Sequence, residues 1–359
     1  MSEFIPPPPN PNRPEPRLSR VPRTFDLVLM GTALLWTVAS GTIADRAAHG
    51  ILARLGLYQL QPLLSEFFLI FLIVLGFALL DWIATRGSSV ASIIALPRRI
   101  GWPREWGLGA AAGWGMAIAA VLPILLTGRL LSELPHGPAS VLVPRVVSVV
   151  LATLTLALMT LGQELVFRGY PFRRLVQAIG PSWASVVMSF IFALVQLRQN
   201  AALNPGTALL VEWAFGLILA MAYLRTHALW LGWGVHFSYR AVTAILLGLP
   251  AAGHIEFASI VDSGARGPVW LTGGPFGPDA AFVTFLVMIA AFAVVFRLTR
   301  WYAWEYTHAP IVSGGYEVTV APPKAHVDME RQAAAAPPPL VQILPSTPQG
   351  RTVGDEGRE

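Results

Sequence analysis

The chain has 359 residues, of which 54% are hydrophobic and 13% are charged, whereas an ordinary soluble domain is about 45–50% apolar and about 25% charged. Of the 25 basic and 20 acidic residues, 18 lie in the two ends, 1–24 and 300–359, which leaves 27 for the 275 residues between them. So little charge excludes a water-soluble surface around the middle of the chain. Long apolar runs with few charges are instead typical of a protein that crosses the membrane several times.

Two further features of the composition exclude classes of site. The chain has no cysteine, which excludes disulfides, thiolate zinc sites and cysteine nucleophiles. Its net charge of +5 comes almost wholly from arginine, with Lys324 the only lysine. Because these charges are spread between apolar segments, they indicate orientation signals rather than a nucleic-acid-binding patch, and we expect no nucleic-acid partner.

Eight apolar runs of about 20 residues are long enough to be transmembrane helices. They cover 25–44, 64–85, 106–127, 146–166, 182–203, 207–224, 228–249 and 279–299. The predicted fold is therefore all-α, a polytopic membrane bundle of about eight helices over residues 25–300, in contact with the lipid bilayer. A proline-rich cytoplasmic tail (1–24) precedes it. The segment 301–359 follows and is predicted to be disordered, because its composition cannot bury enough apolar area.

The arginines beside the spans predict the orientation of the bundle. If the N-terminus is cytoplasmic, 14 of them lie on cytoplasmic segments and 6 on the opposite side. This excess follows the positive-inside rule and places both termini in the cytoplasm. The preference for arginine over lysine and the abundance of alanine favour a bacterial inner membrane.

Two segments with glycine carry local predictions. Gly109 and Gly113 are four residues apart in the third run, a spacing that allows close contact between transmembrane helices. The segment TGGPFGP at 272–278 is typical of an external turn.

Ionisable residues inside transmembrane helices are costly and are the default candidates for function. Glu66 and Asp81 lie near the ends of the second run, where water is close, and we expect both to be structural. The remaining candidates lie in the fourth, sixth and seventh runs: Glu164, Arg168, Glu212, His236 and Arg240.

Three blocks of sequence contain most of these groups. In LGQELVFRGY (161–170), Glu164 and Arg168 are four apart and can pair on one helix face, while the neighbouring Gln163 points about 100° away. Such a pair could simply close the fourth span. The second block is FALVQ (192–196), in which Gln196 lies deep in a span. The third is HFSYR (236–240), in which Arg240 lies one turn after His236.

These blocks resemble the signature of the CAAX-protease and bacteriocin-processing family of intramembrane metalloproteases. That signature is Glu-Glu-x-x-x-Arg, then Phe-x-x-x-His, then His-x-x-x-Asn or His-x-x-x-Asp. Here the corresponding residues are Gln163-Glu164-x-x-x-Arg168, Phe192-x-x-x-Gln196 and His236-x-x-x-Arg240. The resemblance covers about residues 145–250 and implies a CAAX-protease-like helical core.

The resemblance also implies a mechanism in which a carboxylate, two histidines and an Asn or Asp surround zinc or an activated water, and the first glutamate is the base. A base must accept a proton near neutral pH, which the Gln163 amide cannot do. Gln196 is a poor zinc ligand. Arg240 is a permanently charged guanidinium at the position where the resemblance implies a ligand of the metal ion. The candidate metal ligands that remain are His236 and Glu164. The resemblance implies a zinc ion there, and the alternative is that the protein has no cofactor.

Three functions stay open at this point. The first is a catalytically impaired pseudoenzyme, a binding or regulatory membrane protein in which Arg240 takes the electrostatic place of the metal and pairs with Glu164 or Glu212. The second is a residual endopeptidase with Glu164 as base, acting on a membrane-embedded or lipidated peptide. The third is a transporter built around the same intramembrane charges.

Overall fold

The computed structural model describes residues 23–85, 94–97, 101–134, 138–198, 204–252, 257–300 and 331. The chain divides into two units, 1–308 and 309–359, and all of the described helices lie in the first. Apart from Arg23, Thr24 and Arg331, the two predicted tails lie outside the described residues.

The described part is built of helices, as predicted. Eight of them account for the eight apolar runs: α1 Arg23–Leu55, α2 Gln61–Thr85, α3 Trp102–Leu126, α4 Ala139–Phe167, α6 Pro181–Arg198, α7 Pro205–Thr226, α8 Trp230–Arg240 and α10 Phe282–Leu298. A ninth helix, α5, covers Tyr170–Ile179, and a one-turn helix, α9, covers Val269–Thr272. Five segments are long and apolar enough to cross a membrane, and two shorter helices are also apolar. The chain is therefore a helical membrane protein.

Helices α3 and α8 pack closely through glycines. A Cβ atom on Gly109 would collide with the carbonyl oxygen of Leu231, and one on Gly113 would collide with that of Val235. Gly234 of α8 faces the backbone of α3 in the same way. The predicted helix contact at Gly109 and Gly113 is confirmed, and it fixes the position of α8, which carries His236 and Arg240.

The fourth run is a helix that bends at Gly169 and continues as α5. The bend follows from the absence of a side chain, because a Cβ on Gly169 would collide with the carbonyl oxygen of Leu165. Helix α5 buries Tyr170, Phe172 and Leu175. Glu164 and Arg168 therefore lie before a bend inside the bundle, and the chain continues as a helix for ten residues beyond it.

A buried ion-pair cluster ties α5 to the first two helices. Arg174 of α5 bonds to Asp26 of α1 at 3.3 Å and to Asp81 of α2 at 2.6 Å. The guanidinium also stacks on the Tyr170 ring, 5.0 Å from its centroid. Asp81 therefore has a structural role, as predicted. The cluster joins the start of α1, the end of α2 and α5.

A small feature that the all-α prediction missed is a two-stranded antiparallel sheet. Strand β1, Leu130–Glu133, pairs with β2, Asp262–Ala265. Arg145 of α4 holds this edge by a 2.6 Å ion pair to Asp262. The hydrogen bond from Arg145 keeps the pKa of the Asp262 carboxyl below its usual range. Since only two short strands are involved, the fold class stands.

Candidate functional site

The first part of the site is a buried pair of Glu164 and His236. Glu164 Oε1 lies 2.7 Å from His236 Nδ1 and 3.3 Å from Arg168 Nη1. A carboxylate only accepts hydrogen bonds, so Nδ1 carries the hydrogen and donates it. The predicted pairing of Glu164 with Arg168 on one helix face is confirmed. All three side chains are buried, and one glutamate oxygen thus accepts from both Arg168 and His236.

Aromatic rings surround this pair. The rings of Phe192 and Phe215 lie 5.9 Å and 5.2 Å from the His236 imidazole, each edge-on. The Arg168 guanidinium lies over the Phe192 ring at 4.6 Å and donates to the carbonyl oxygen of Gly216 at 3.2 Å. Helices α4, α6, α7 and α8 therefore meet at this point, so the first and second predicted blocks meet the third.

The second part of the site is centred on Arg240. Its Nη2 lies 2.8 Å from both oxygens of Glu212 on α7, and its Nη1 donates to Asp279 Oδ2. All three residues are at most 2% exposed. Of the two partners predicted for Arg240, Glu212 is the one that it pairs with. A permanent cation between two carboxylates thus occupies the position of the family's last ligand.

Sequence reasoning missed Asp279 and the residues around it. Asp279 also accepts from Tyr239 Oη at 2.6 Å and from the backbone N–H of Ala252 at 2.7 Å. It follows the segment 272–278, which forms turns as predicted but is packed into the bundle, with Phe276 buried. The only signal in the sequence was a lone acidic residue next to an apolar run.

Gln163 lines a cavity beside the site, whereas Gln196 does not. Gln196, on α6 one turn after Phe192, is 3% exposed. Gln163 points away from Glu164, as predicted, and lines a cavity of about 810 Å³ beside α1 and α2. Neither Glu164 nor His236 lines that cavity. The family's base position therefore faces the cavity, while the carboxylate and histidine are enclosed in the bundle.

The donor atoms present do not fit a zinc site. His236 Nε2 and Glu164 Oε2 are buried without a hydrogen-bond partner, and a histidine that donates Nδ1–H to a carboxylate is the usual arrangement of a metal ligand. Zinc sites need about three protein ligands, however. Within the described ranges no group of three or more His, Asp or Glu residues could hold a metal ion. Gln196 and Arg240 stand where the resemblance implies the other ligands.

Residues 144–242 match the family of type II CAAX prenyl endopeptidases described as Rce1-like. This segment is CAAX-protease-like. The resemblance predicted from the three blocks is confirmed there, and the segment contains all six predicted site residues together with Glu212, whereas Glu66 and Asp279 lie outside it. No curated protein and no solved structure matches the chain.

Proposed function

We propose that this chain is a catalytically impaired, CAAX-protease-like membrane protein that binds a ligand within the bilayer without cleaving it. The observation that carries the proposal is the double ion pair of Arg240 with Glu212 and Asp279. The positive charge of this guanidinium would repel a divalent cation bound beside it. Both carboxylates already form ion pairs with Arg240. Arg240 serves as the internal counter-ion of a site that holds no metal.

The base position supports the same proposal. Water attack on a peptide bond needs a group that takes a proton, and the Gln163 amide does not ionise. The carboxylate that follows it in the sequence, Glu164, has one oxygen engaged by Arg168 and His236. Neither residue of this pair adjoins the described cavity, so a substrate held there would not meet them.

The setting of the protein is part of the proposal. The arginine distribution supports an inner-membrane protein, bacterial in origin, with several spans and both termini in the cytoplasm. Its partners would be the lipid bilayer and, by the family's chemistry, a membrane-embedded or lipidated peptide. No nucleic-acid partner is proposed.

One observation favours a second function, a residual endopeptidase without zinc. The Glu164–His236 hydrogen bond leaves Glu164 Oε2 and His236 Nε2 unpartnered, which is an arrangement that can move a proton. In this second reading Glu164 is the base and His236, with both ring nitrogens protonated, donates Nε2–H to the oxyanion.

A peptidase assay separates these two functions. We expect the purified full chain in lipid nanodiscs to release no product from a membrane-embedded, lipidated peptide that an active CAAX-type peptidase cleaves under the same conditions. Because the wild type is inactive, Glu164→Gln should give the same background rate. Product is measured by mass spectrometry.

Glu133→Gln, at an exposed position on β1, is the matched control for the loss of one carboxylate. Cleavage by the wild type and by Glu133→Gln that disappears in Glu164→Gln would contradict the proposal and establish the residual endopeptidase.

A further inference from the structure

A cavity lies outside the paired charges of the site and reaches an exposed apolar face of the bundle. Its volume is about 810 Å³, within the range of small-molecule sites. Its wall includes Val38 of α1 and Val195 of α6, which are 70% and 39% exposed. We call it the lateral cavity, because such exposed apolar residues face lipid and an acyl chain can enter between them.

Most of the wall is apolar and comes from four helices. Helices α1 and α2 contribute Leu34, Leu69 and Ile73, α4 contributes Leu151, Ala152, Met159 and Val166, and α6 contributes Ile191. The hydroxyls of two wall threonines are satisfied within their own helices, since Thr37 donates to Ala33 and Thr155 to Leu151, each at 2.9 Å. These surfaces suit a hydrocarbon chain.

Two polar groups of the wall, on Gln163 and Glu66, lie next to each other. The Oε1 atom of Gln163 is buried and accepts no hydrogen bond. Glu66 lines the same cavity, and no cation is among the described residues that line it. A Cβ placed on Gly162 would lie 3.9 Å from Glu66 Oε2, so the carboxylate faces α4 next to Gln163.

The position of Glu66 makes an unpaired carboxylate costly. Glu66 lies 15 residues before Asp81 on α2, about 22 Å along the helix, and therefore far from the ion-pair cluster of Arg174. No lysine, arginine or histidine is among the described residues that line the cavity. A carboxylate in apolar surroundings is stabilised by a cation, and none of the described residues of this wall is one.

We infer that the lateral cavity binds a single-chain amphiphile with a primary ammonium head, which donates to Glu66 and Gln163 while its hydrocarbon chain fills the apolar wall. An ammonium carries three donors and no acceptor, so it can satisfy both oxygens and neutralise the carboxylate. An alcohol donates only one hydrogen bond. A fatty acid would place a second carboxylate against Glu66.

This inference rests on the proposed function in one respect, because it names a ligand for a protein that binds without cleaving. The residues that carry it are different, since Glu66 lies outside the CAAX-protease-like segment. A test of binding alone can therefore fail or succeed independently of a peptidase or metal measurement.

The test uses the purified full chain in phosphatidylcholine nanodiscs and three photoreactive probes with the same 16-carbon chain: an amine, an alcohol and a carboxylic acid. Labelled peptides are identified by mass spectrometry. We expect the amine to label the α2 and α4 walls at least tenfold more than either other probe, and excess hexadecylamine to compete. Glu66→Gln should reduce amine labelling about tenfold.

Two controls make the result specific. Glu133→Gln should label like the wild type, and Ala152→Phe, which fills the apolar part of the cavity, should reduce labelling by all three probes even if Glu66→Gln fails to fold. Thermal unfolding identifies variants that do not fold. Equal labelling by the three probes, or amine labelling that survives in folded Glu66→Gln or in Ala152→Phe, would overturn the inference and leave the proposed lack of cleavage unaffected.

Discussion

Replacing Arg240 with methionine is expected to lower the free energy of unfolding by about 3–5 kcal/mol, because it leaves two buried carboxylates without their cation. Glu212 and Asp279 are each 1% exposed, so water cannot replace the guanidinium. Methionine keeps much of the side-chain volume, which limits any loss from packing. Reversible unfolding in mixed micelles, followed by tryptophan fluorescence, measures the change.

The partners of Arg240 give the corresponding rescue. Removing all three charges, in Arg240→Met combined with Glu212→Gln and Asp279→Asn, should restore much of the lost stability, since a buried network replaced as a whole costs less than one that is broken. Arg266→Met, at an exposed loop position, should change stability by no more than about 0.5 kcal/mol. An Arg240→Met protein as stable as Arg266→Met would contradict the role of Arg240 as the internal counter-ion.

Replacing Arg174 with methionine is expected to cost about 3 kcal/mol. The reason is again a cation that holds two carboxylates, here Asp26 and Asp81, which come from different helices. The loss should loosen α1 and α2 from the rest of the bundle. Hydrogen exchange measured by mass spectrometry should therefore rise most in the peptides of α1 and α2.

Arg173 provides a matched control on the same helix. It has no ion pair with a described carboxylate, and its Nε is buried without a hydrogen-bond partner. Arg173→Met should therefore leave α1 and α2 protected. Equal exchange in Arg173→Met and Arg174→Met would contradict the clamp between α5 and the first two helices.

Eight of the described helices could be predicted because each lies in a continuous apolar run of sufficient length, whereas α5, which is short and amphipathic, could not. The run at 228–249 shows the limit of that signal. Its helix is regular only over Trp230–Arg240 and continues as a π-helical turn over Ala241–Leu246. Apolar composition cannot distinguish these two backbones, since both satisfy the same hydrogen-bonding groups internally.

Contacts of the site could be predicted where the two residues are close in sequence, and could not be predicted where they are far apart. Glu164 and Arg168 are one helical turn apart, so their pairing follows from helix geometry. Asp279 reaches Arg240 from 39 residues away through a packed turn, and no local pattern reveals such a contact. Glu66 was predicted to be a structural residue because it lies near the end of an apolar run. Its position in that run does not show that its side chain lines a cavity.

Metal analysis of the purified full chain tests the central claim most directly. The protein is expressed with zinc in the medium, exchanged into metal-free buffer and measured by inductively coupled plasma mass spectrometry. Because Arg240 occupies the ligand position and neutralises Glu212 and Asp279, we predict well below about 0.1 zinc per chain, against about one for a protein with three zinc ligands. One zinc per chain, lost on His236→Ala, would contradict the account.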